Sequence, residues 1–212
     1  TELKLVGGET LAIKNNYDVM MKAIDSGHSK NISLTITTNA TLTPKFNGLD
    51  IFEIIPNFKS CKINISIEGW GKRNNYFRFP SNWDDIILNA KRFMGCADTQ
   101  FDTTINALNI GYLSEVVEGA KNLGCTYNIG SLVWGSKEWY TVEAIPPDIR
   151  ELYLDKFYSL HDTELQHLIS YLEDTNFDEQ LLIKMIRDVK SRDIYRGTCL
   201  LDIAPEWKPY YE

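Results

Sequence analysis

Short apolar segments with a strand-like pattern alternate with amphipathic helical segments over the first two thirds of the chain. The predicted strands are residues 3–6, 31–37, 62–68, 101–109 and 126–133. The predicted helices run from Asn15 or Asn16 to Gly27, around 46–55, from Ser81 or Asn82 to about Met94, and from Ser114 to Gly124. This order is typical of a parallel sheet with crossover helices.

After Tyr140 the pattern changes to helices without intervening strands. Pro146 and Pro147 open this region, and apolar stripes at helical spacing follow, two of them behind the predicted caps Thr163 and Asp178. We therefore predict an α/β fold in which residues 1–140 form a partial (β/α) barrel of parallel strands. Residues 141–212 are predicted to form a helical C-terminal region packed on it.

Polar side chains share one face of three predicted strands, although both faces are normally apolar in an α/β sheet. The opposite face of 62–68 carries three isoleucines. The polar set is Ser33, Thr35, Thr37, Asn39, Asn64, Ser66, Glu68, Thr104 and Asn106. A closed barrel is plugged by apolar residues, and unpaired buried polar groups cost about 1–3 kcal/mol each. A sheet edge facing water is an alternative for one strand, but recurrence on three strands favours an open barrel that holds a polar ligand.

The predicted ends of these strands carry residues suited to ligand binding. Gly7, Gly8 and Glu9 follow the first strand, Thr38 and Asn39 the second, and Glu68-Gly69 the third. Parallel α/β proteins bind their ligands at this edge of the sheet. The glycine pair would let the backbone approach a ligand closely, although its spacing matches neither the dinucleotide nor the P-loop fingerprint.

Composition narrows the class of partner. The 212 residues include 22 Lys and Arg against 29 Asp and Glu, which gives a formal charge of −7 and disfavours nucleic acid as a partner. The sequence contains neither an apolar stretch of about 20 residues nor a signal-peptide pattern, so we predict no membrane partner. The four cysteines lack metal-site spacing and are predicted to be free thiols in the cytoplasm.

Other aromatic and basic residues allow two interpretations. Arg73 and Arg78 lie in a predicted loop rich in aromatic residues and form either a ligand clamp or a solvated basic loop. Trp134, Trp139 and Tyr140 follow the last strand and either line a substrate pocket or pack at a domain junction.

The combined pattern resembles the radical S-adenosylmethionine (SAM) superfamily, and within it the twitch-domain-containing radical SAM proteins. The matching stretches occur in the family's order over about the first half of the chain, and the end of the chain is also similar. They are LVGGET from Leu5, LTITTNAT from Leu34, ISIEGWGKRNNYFRFPSNW from Ile65, TTINALN from Thr103 and RDIYRGTCLLDIAPEW from Arg192.

The resemblance implies roles for the first two strand ends. Gly7, Gly8 and Glu9 are similar to the family's GGE motif, whose backbone and carboxylate hold the SAM amino group. A cationic amine requires acceptors, so this assignment is chemically sensible. Thr38 and Asn39 match a segment near the methionine moiety and the substrate side.

It also implies roles for residues further along the chain. Ser66 resembles a serine that contacts the SAM ribose or carboxylate, and Glu68 stands where relatives usually have Asp. Arg78 is a candidate clamp for the SAM carboxylate through two parallel hydrogen bonds. Asn106 and Leu108 would lie near the ribose and adenine.

One family feature is missing. The family's chemistry requires a [4Fe–4S] cluster held by a CxxxCxxC motif before the GGE strand, and this chain, which begins at Thr1 inside that strand, has no such motif. We expect an N-terminally truncated fragment, inactive alone, whose full-length form carries the cluster. The resemblance implies that this enzyme cleaves SAM reductively to a 5′-deoxyadenosyl radical and abstracts hydrogen from an unknown substrate, of which a peptide is one candidate.

Two alternatives remain open at this level. A catalytically silent SAM-fold module would bind a peptide or protein without cleaving SAM. A glycoside hydrolase would use Glu9 and Glu68 as paired carboxylates, although neither lies in a sugar-binding aromatic context.

Overall fold

The computed structural model describes residues 1–42, 44–132, 138–160 and 165–212. Its strands in chain order are β1 (Glu2–Leu5), β2 (Ser33–Thr38), β3 (Lys45–Phe46), β4 (Leu49–Asp50), β5 (Ser60–Ile67), β6 (Asp98–Ile105) and β7 (Thr126–Leu132). Five of them form one sheet in the order β1-β2-β5-β6-β7, and the pairs β1–β2, β2–β5 and β5–β6 are parallel. The five predicted strands of the sheet are therefore confirmed, with shifted ends.

The helices separate these strands, and beyond β7 the residues that the structure describes contain helices and no strand. They are α1 (Lys14–Asp25), α2 (Ile51–Ile54), α3 (Lys72–Phe77), α4 (Trp83–Met94), α5 (Leu113–Leu123), α6 (Pro147–Leu160), α7 (Gln166–Glu173), α8 (Glu179–Arg196) and α9 (Lys208–Tyr211). Among the described residues, no helix is both long enough and apolar enough to cross a membrane.

The chain forms two compact units that interleave along the sequence. The first comprises Thr1–Ile67, Pro80–Thr103 and Gly119–Asn128. The second comprises Glu68–Phe79, Thr104–Glu118 and Ile129–Glu212. The predicted division at residue 140 remains a prediction.

The core of the first unit follows from the alternation along β2, β5 and β6. Neighbouring strands place Ile36 beside Ile63 and Ile65 beside Phe101, and all four side chains are completely buried. Each buried side chain of this size contributes about 1.5–3 kcal/mol. The opposite face of β5 is only half-buried, as its polar residues predict.

Helix α4 lies where its capping signals predict it. The Asn82 side chain accepts a hydrogen bond from the Asp84 N–H (3.0 Å) and thereby caps the first turn. Trp83 stacks on Phe101 of β6 with ring centroids 6.4 Å apart. The cap and the apolar face therefore fix both the start of the helix and its packing side.

The helix predicted around 46–55 is wrong over its first half. Residues Asn47 and Gly48 both have positive φ, 48° and 83°, and connect the antiparallel strands β3 and β4. Asn-Gly is the preferred sequence for such a two-residue turn because both residues tolerate the left-handed conformation. Only Ile51–Ile54 is α-helical, behind the cap Asp50.

The strand predicted to Asn109 is also too long. β6 ends at Ile105, and Asn106 begins a turn in which its Oδ1 accepts the N–H groups of Leu108 (3.0 Å) and Asn109 (3.1 Å). In return, Asn109 Oδ1 accepts the Asn106 N–H (2.8 Å). Asparagine side chains satisfy backbone groups in turns in this way, so Asn106 does not extend the polar face of the strand.

The second unit has its own core, in which Trp207 and Met185 are fully buried. Its longest helix, α8, begins behind the predicted cap Asp178 and ends at Gly197, whose φ of 67° gives the left-handed C-terminal cap. The predicted cap Thr163 lies outside the described residues.

The Asp178 cap can be tested by substitution. Its Oδ1 accepts the N–H groups of Gln180 (2.8 Å) and Leu181 (3.2 Å). We expect Asp178→Ala to lower the free energy of unfolding by about 1 kcal/mol in urea denaturation, since both donors lose their partner. Asp178→Asn keeps an acceptor and should cost clearly less; equal losses in the two variants would contradict the capping role.

Candidate functional site

The first unit contains one candidate region, the strand-end cluster, which is formed by Glu9, Thr38 and Asn39. Glu9 Oε1 accepts the Thr38 hydroxyl (2.6 Å) and the Leu11 N–H (3.2 Å), and its Oε2 accepts the Asn39 N–H (2.9 Å). A carboxylate offers about four acceptor positions. Three are filled by the protein, which leaves one on Oε2 for another donor.

The backbone behind this cluster is also held in place. Thr38 is only 2% exposed and its Oγ1 accepts the Ala40 N–H (3.0 Å). Ala40 has a φ of 54°, which a residue with a side chain rarely adopts. Asn89 of α4 donates to the carbonyl oxygens of Ala40 (2.8 Å) and Leu42 (3.1 Å). These bonds hold the strained turn after β2 in one conformation.

The glycine pair lies just before Glu9 and is exposed to solvent. Gly7 and Gly8 have φ values of 94° and 54°, so both positions favour glycine on conformational grounds. An added Cβ at either position would meet no atom within 4 Å. The space beside this backbone is therefore open to a ligand.

Two polar residues of β5 lie on one face of the strand, near the edge of the sheet where β5 ends. Asn64 and Ser66 are half-buried. The Asn64 Oδ1 atom is buried and has no hydrogen-bond partner among the described residues. A buried acceptor without a donor is costly, which makes this atom a candidate contact for a ligand.

In the second unit, Glu68 and Arg78 are brought together at the two ends of α3. The Arg78 guanidinium lies 3.4 Å from Glu68 Oε1, and the Glu68 N–H donates to Asn74 Oδ1 (3.0 Å). The Arg78 Nε atom is buried and unpartnered within the described part of the chain. This N–H therefore lacks an acceptor, which makes it a candidate contact for an anion.

The loop predicted around Arg73 and Arg78 is wrong in part, because residues 72–77 form the helix α3. Arg73 lies 3.2 Å from Glu115 and stacks over the Tyr112 ring at 3.7 Å. Both contacts belong to the packing of the second unit, so of these two arginines Arg78 is the candidate ligand clamp.

Asn106 and Leu108 line a cavity of about 160 Å³ in the second unit, which we call the α8 pocket. Its lining residues are Glu68, Tyr76, Phe77, Asn106, Leu108, Tyr140, Val189, Arg192 and Arg196. Tyr140, one of the predicted wall residues, lines it; Trp134 lies outside the described residues. Sequence reasoning missed Arg192 and Arg196. They share one face of α8 with Val189, but the apolar stripe of this helix indicates only a core helix and not a role for the arginines beside it.

Both tyrosines of the pocket are neutral hydrogen-bond donors. Burial raises the pKa of Tyr76, and the Asp193 carboxylate raises it further. Burial also raises the pKa of Tyr140; Arg192 opposes this effect, and Asp188, which accepts the Tyr140 hydroxyl (2.9 Å), adds to it. Neither phenol becomes an anion near neutral pH.

The cysteines do not form a cluster site. Cys61 and Cys125 are buried, Cys96 and Cys199 are half-buried, and all four are free. Burial raises the pKa of Cys61 to about 12, whereas iron–sulfur clusters are held by thiolates. No group of three or more His, Cys, Asp or Glu among the described residues could hold a metal. The four cysteines and the other described residues therefore do not fit a [4Fe–4S] cluster.

The two carboxylates of the glycosidase alternative are both engaged by donors. Glu9 accepts three hydrogen bonds and Glu68 pairs with Arg78. A glycosidase needs one carboxyl group that releases a proton to the leaving oxygen. Both carboxylates instead accept contacts from donors of the protein, so this arrangement does not support that chemistry.

Comparison with solved structures gives a likeness of fold. The chain is similar to native anSMEcpe with bound AdoMet (14% identity, TM-score 0.53, 84% of this chain and 49% of that one). It is also similar to Streptococcus suis SuiB bound to S-adenosylmethionine (18% identity, TM-score 0.52, 78% of this chain and 36% of that one). The similarity to SuiB bound to precursor peptide SuiA is comparable (18% identity, TM-score 0.51, 82% of this chain and 40% of that one). The chain spans less than half the length of each protein. The predicted α/β fold, a partial barrel of parallel strands, is confirmed.

No protein-family model and no curated protein matches the sequence. The likeness therefore extends to the fold alone, and the ligands of these structures are properties of SuiB and anSMEcpe.

The strand-end cluster predicts a specific effect of removing the Thr38 hydroxyl. We expect Thr38→Val to lower the free energy of unfolding by about 1–3 kcal/mol, because Glu9 Oε1 loses a donor and the Ala40 N–H loses its acceptor. Urea denaturation measures the loss, and hydrogen exchange at the Ala40 amide should become faster.

Thr38→Ser is the matched control, since it keeps the hydroxyl and removes only a methyl group. If the Ser and Val variants were equally stable and equally protected at Ala40, the cluster would not depend on this hydroxyl.

Proposed function

We propose that this chain is the S-adenosylmethionine-binding part of a radical SAM enzyme. Four sequence motifs in family order and a fold shared with two proteins solved with this cofactor support the proposal. The observation that carries it is Glu9. Its carboxylate is held by three protein donors and keeps one acceptor position at the end of β1.

The amino group of the cofactor is assigned to Glu9, Gly7 and Gly8. An ammonium group has only donors, and the free position on Glu9 Oε2 is an acceptor. The open backbone at the two glycines can offer carbonyl oxygens, since no side chain blocks it. Thr38 and Asn39 hold the Glu9 carboxylate before the ligand arrives, which reduces the ordering cost of binding.

The carboxylate of the cofactor is assigned to Arg78. Its unpartnered Nε–H and a neighbouring terminal N–H form the planar edge that binds a carboxylate through two parallel bonds. Glu68 Oε1 lies 3.4 Å from Nη2 of the same guanidinium and helps to fix its orientation.

The ribose and adenine are assigned to Ser66, Glu68, Asn106 and Leu108. Ser66 and Glu68 offer a hydroxyl and a carboxylate, which suit ribose hydroxyl groups. Asn106 gives its side-chain oxygen to two backbone N–H groups, so its amide nitrogen is the group left for a ligand. Leu108 supplies an apolar contact.

Glu9 and Arg78 would hold S-adenosylmethionine, which beside a reduced [4Fe–4S] cluster would supply radical hydrogen-abstraction chemistry. The cysteines of this chain do not fit such a cluster, so the proposal assigns its ligands to residues outside this chain. The C-terminal stretch RDIYRGTCLLDIAPEW supports membership of the twitch-domain group. We propose a peptide as the substrate class. We propose the cytoplasm as the compartment, because all four cysteines are free.

The experiment is anaerobic reconstitution of the full-length protein with iron and sulfide, followed by reduction and quantification of 5′-deoxyadenosine from S-adenosylmethionine. We expect product above the protein-free control. Arg78→Gln should lower its formation by about tenfold or more, since a charge-assisted pair is lost. Arg187→Gln, the same substitution at an exposed position of α8, should leave it unchanged.

Absence of product from the wild-type protein would overturn the enzymatic proposal. Equilibrium dialysis with S-adenosylmethionine then identifies the remaining hypothesis, because a silent SAM-fold module would still bind the cofactor without cleaving it.

A further inference from the structure

The α8 pocket contains more positive charge than the pocket itself neutralises. Arg192 lies 2.7 Å from Asp188, and Arg78 lies 3.4 Å from Glu68. Arg196 donates to the Tyr76 carbonyl oxygen (3.3 Å) and pairs with no carboxylate among the residues that the structure describes. A guanidinium has five N–H donors, so most of the Arg196 donors remain available.

The other polar groups of the pocket are already engaged. Tyr140 donates to Asp188 (2.9 Å), and the Asp193 carboxylate is close enough to Tyr76 to raise the pKa of its phenol. Asp193 in turn is 3% exposed and accepts the Leu200 N–H (2.8 Å) and the Tyr211 hydroxyl (2.8 Å). Asp193 is therefore engaged by donors of the protein interior, and no ion pair joins it to Arg196 among the described residues.

The geometry of α8 fixes both arginines on the same wall. Val189, Arg192 and Arg196 follow the i, i+3, i+7 spacing of one helix face. The Arg196 guanidinium also lies 5.4 Å from the centre of the Phe79 ring, which limits its movement. A charge on a fixed side chain binds an anion with less loss of entropy than one on a mobile side chain.

The size and remaining lining of the pocket favour a small group. Its volume of about 160 Å³ is close to that of an engineered cavity, roughly 150 Å³, that holds one benzene molecule. Val189 and Phe77, which are not assigned to the cofactor, give it apolar walls. The cavity therefore suits a short apolar stem that ends in one negative charge.

We propose that the α8 pocket binds a carboxylate-bearing group of the substrate and that Arg196 is the residue that pairs with it. This inference rests on the proposed function, since Glu68, Asn106 and Leu108 of the same pocket are assigned to the cofactor. The carboxylate comes either from an acidic side chain or from the C-terminus of a peptide.

The test is an NMR titration of the full-length protein that follows its arginine Nε–H signals. The probes are N-acetyl-glutamate N′-methylamide, its neutral glutamine analogue, and N-acetyl-leucine, whose only carboxylate is C-terminal. We expect at least one carboxylate probe to bind about tenfold or more tightly than the glutamine analogue. The probe that binds identifies the source of the carboxylate.

Arg196→Gln should lower the affinity for the preferred probe to that for the glutamine analogue. Arg187→Gln should leave the affinity for the preferred probe unchanged. Arg192→Gln should have a smaller effect than Arg196→Gln, because Asp188 already neutralises Arg192. Equal binding of charged and neutral probes, or an unaffected Arg196→Gln variant, would overturn the inference.

Cofactor binding is measured on the same variants by equilibrium dialysis, which separates this inference from the proposed function. If Arg196→Gln loses S-adenosylmethionine instead of the probe, the pocket belongs to the cofactor and the substrate assignment is wrong. If the wild-type protein binds the carboxylate probe but no S-adenosylmethionine, the proposed function is wrong, whereas the assignment of Arg196 to an anion still holds.

Discussion

The carboxylate of Glu9 is the constraint on which the candidate site depends. β1 and β2 are parallel neighbours, so their ends lie at one edge of the sheet. Glu9 joins the chain after β1 to Thr38 and Asn39 at the end of β2. Hydrogen bonds to an ionised acceptor are about twice as strong as neutral ones. The same interaction that holds this edge together leaves one acceptor exposed to a cationic ligand.

The regular part of the fold could be predicted because side-chain burial repeats with the backbone. Ile63, Ile65 and Ile67 are completely buried on one face of β5, as alternation requires. Two predictions failed where local hydrogen bonds outweigh periodicity. Asn47-Gly48 forms a hairpin turn inside an apolar run, and Asn106 ends a strand by binding backbone N–H groups.

The strand-end cluster of the first unit and the α8 pocket of the second were predictable to different extents. The residues after β1 and β2 are identified by their position at strand ends, and the structure brings Glu9, Thr38 and Asn39 together. The contribution of α8 was not predicted, because its apolar stripe indicates a core helix and says nothing about the arginines beside it. Arg196 becomes informative only when its partners are known, since an unpaired charge cannot be recognised in a sequence.

The most direct measurement is a crystal structure of the full-length protein with bound S-adenosylmethionine. We expect the cofactor's amino nitrogen within hydrogen-bond distance of Glu9 Oε2 and its carboxylate on the Nε edge of Arg78. An amino group bound elsewhere, with Glu9 contacting only Thr38, Asn39 and Leu11, would contradict the assignment of this strand end to the cofactor.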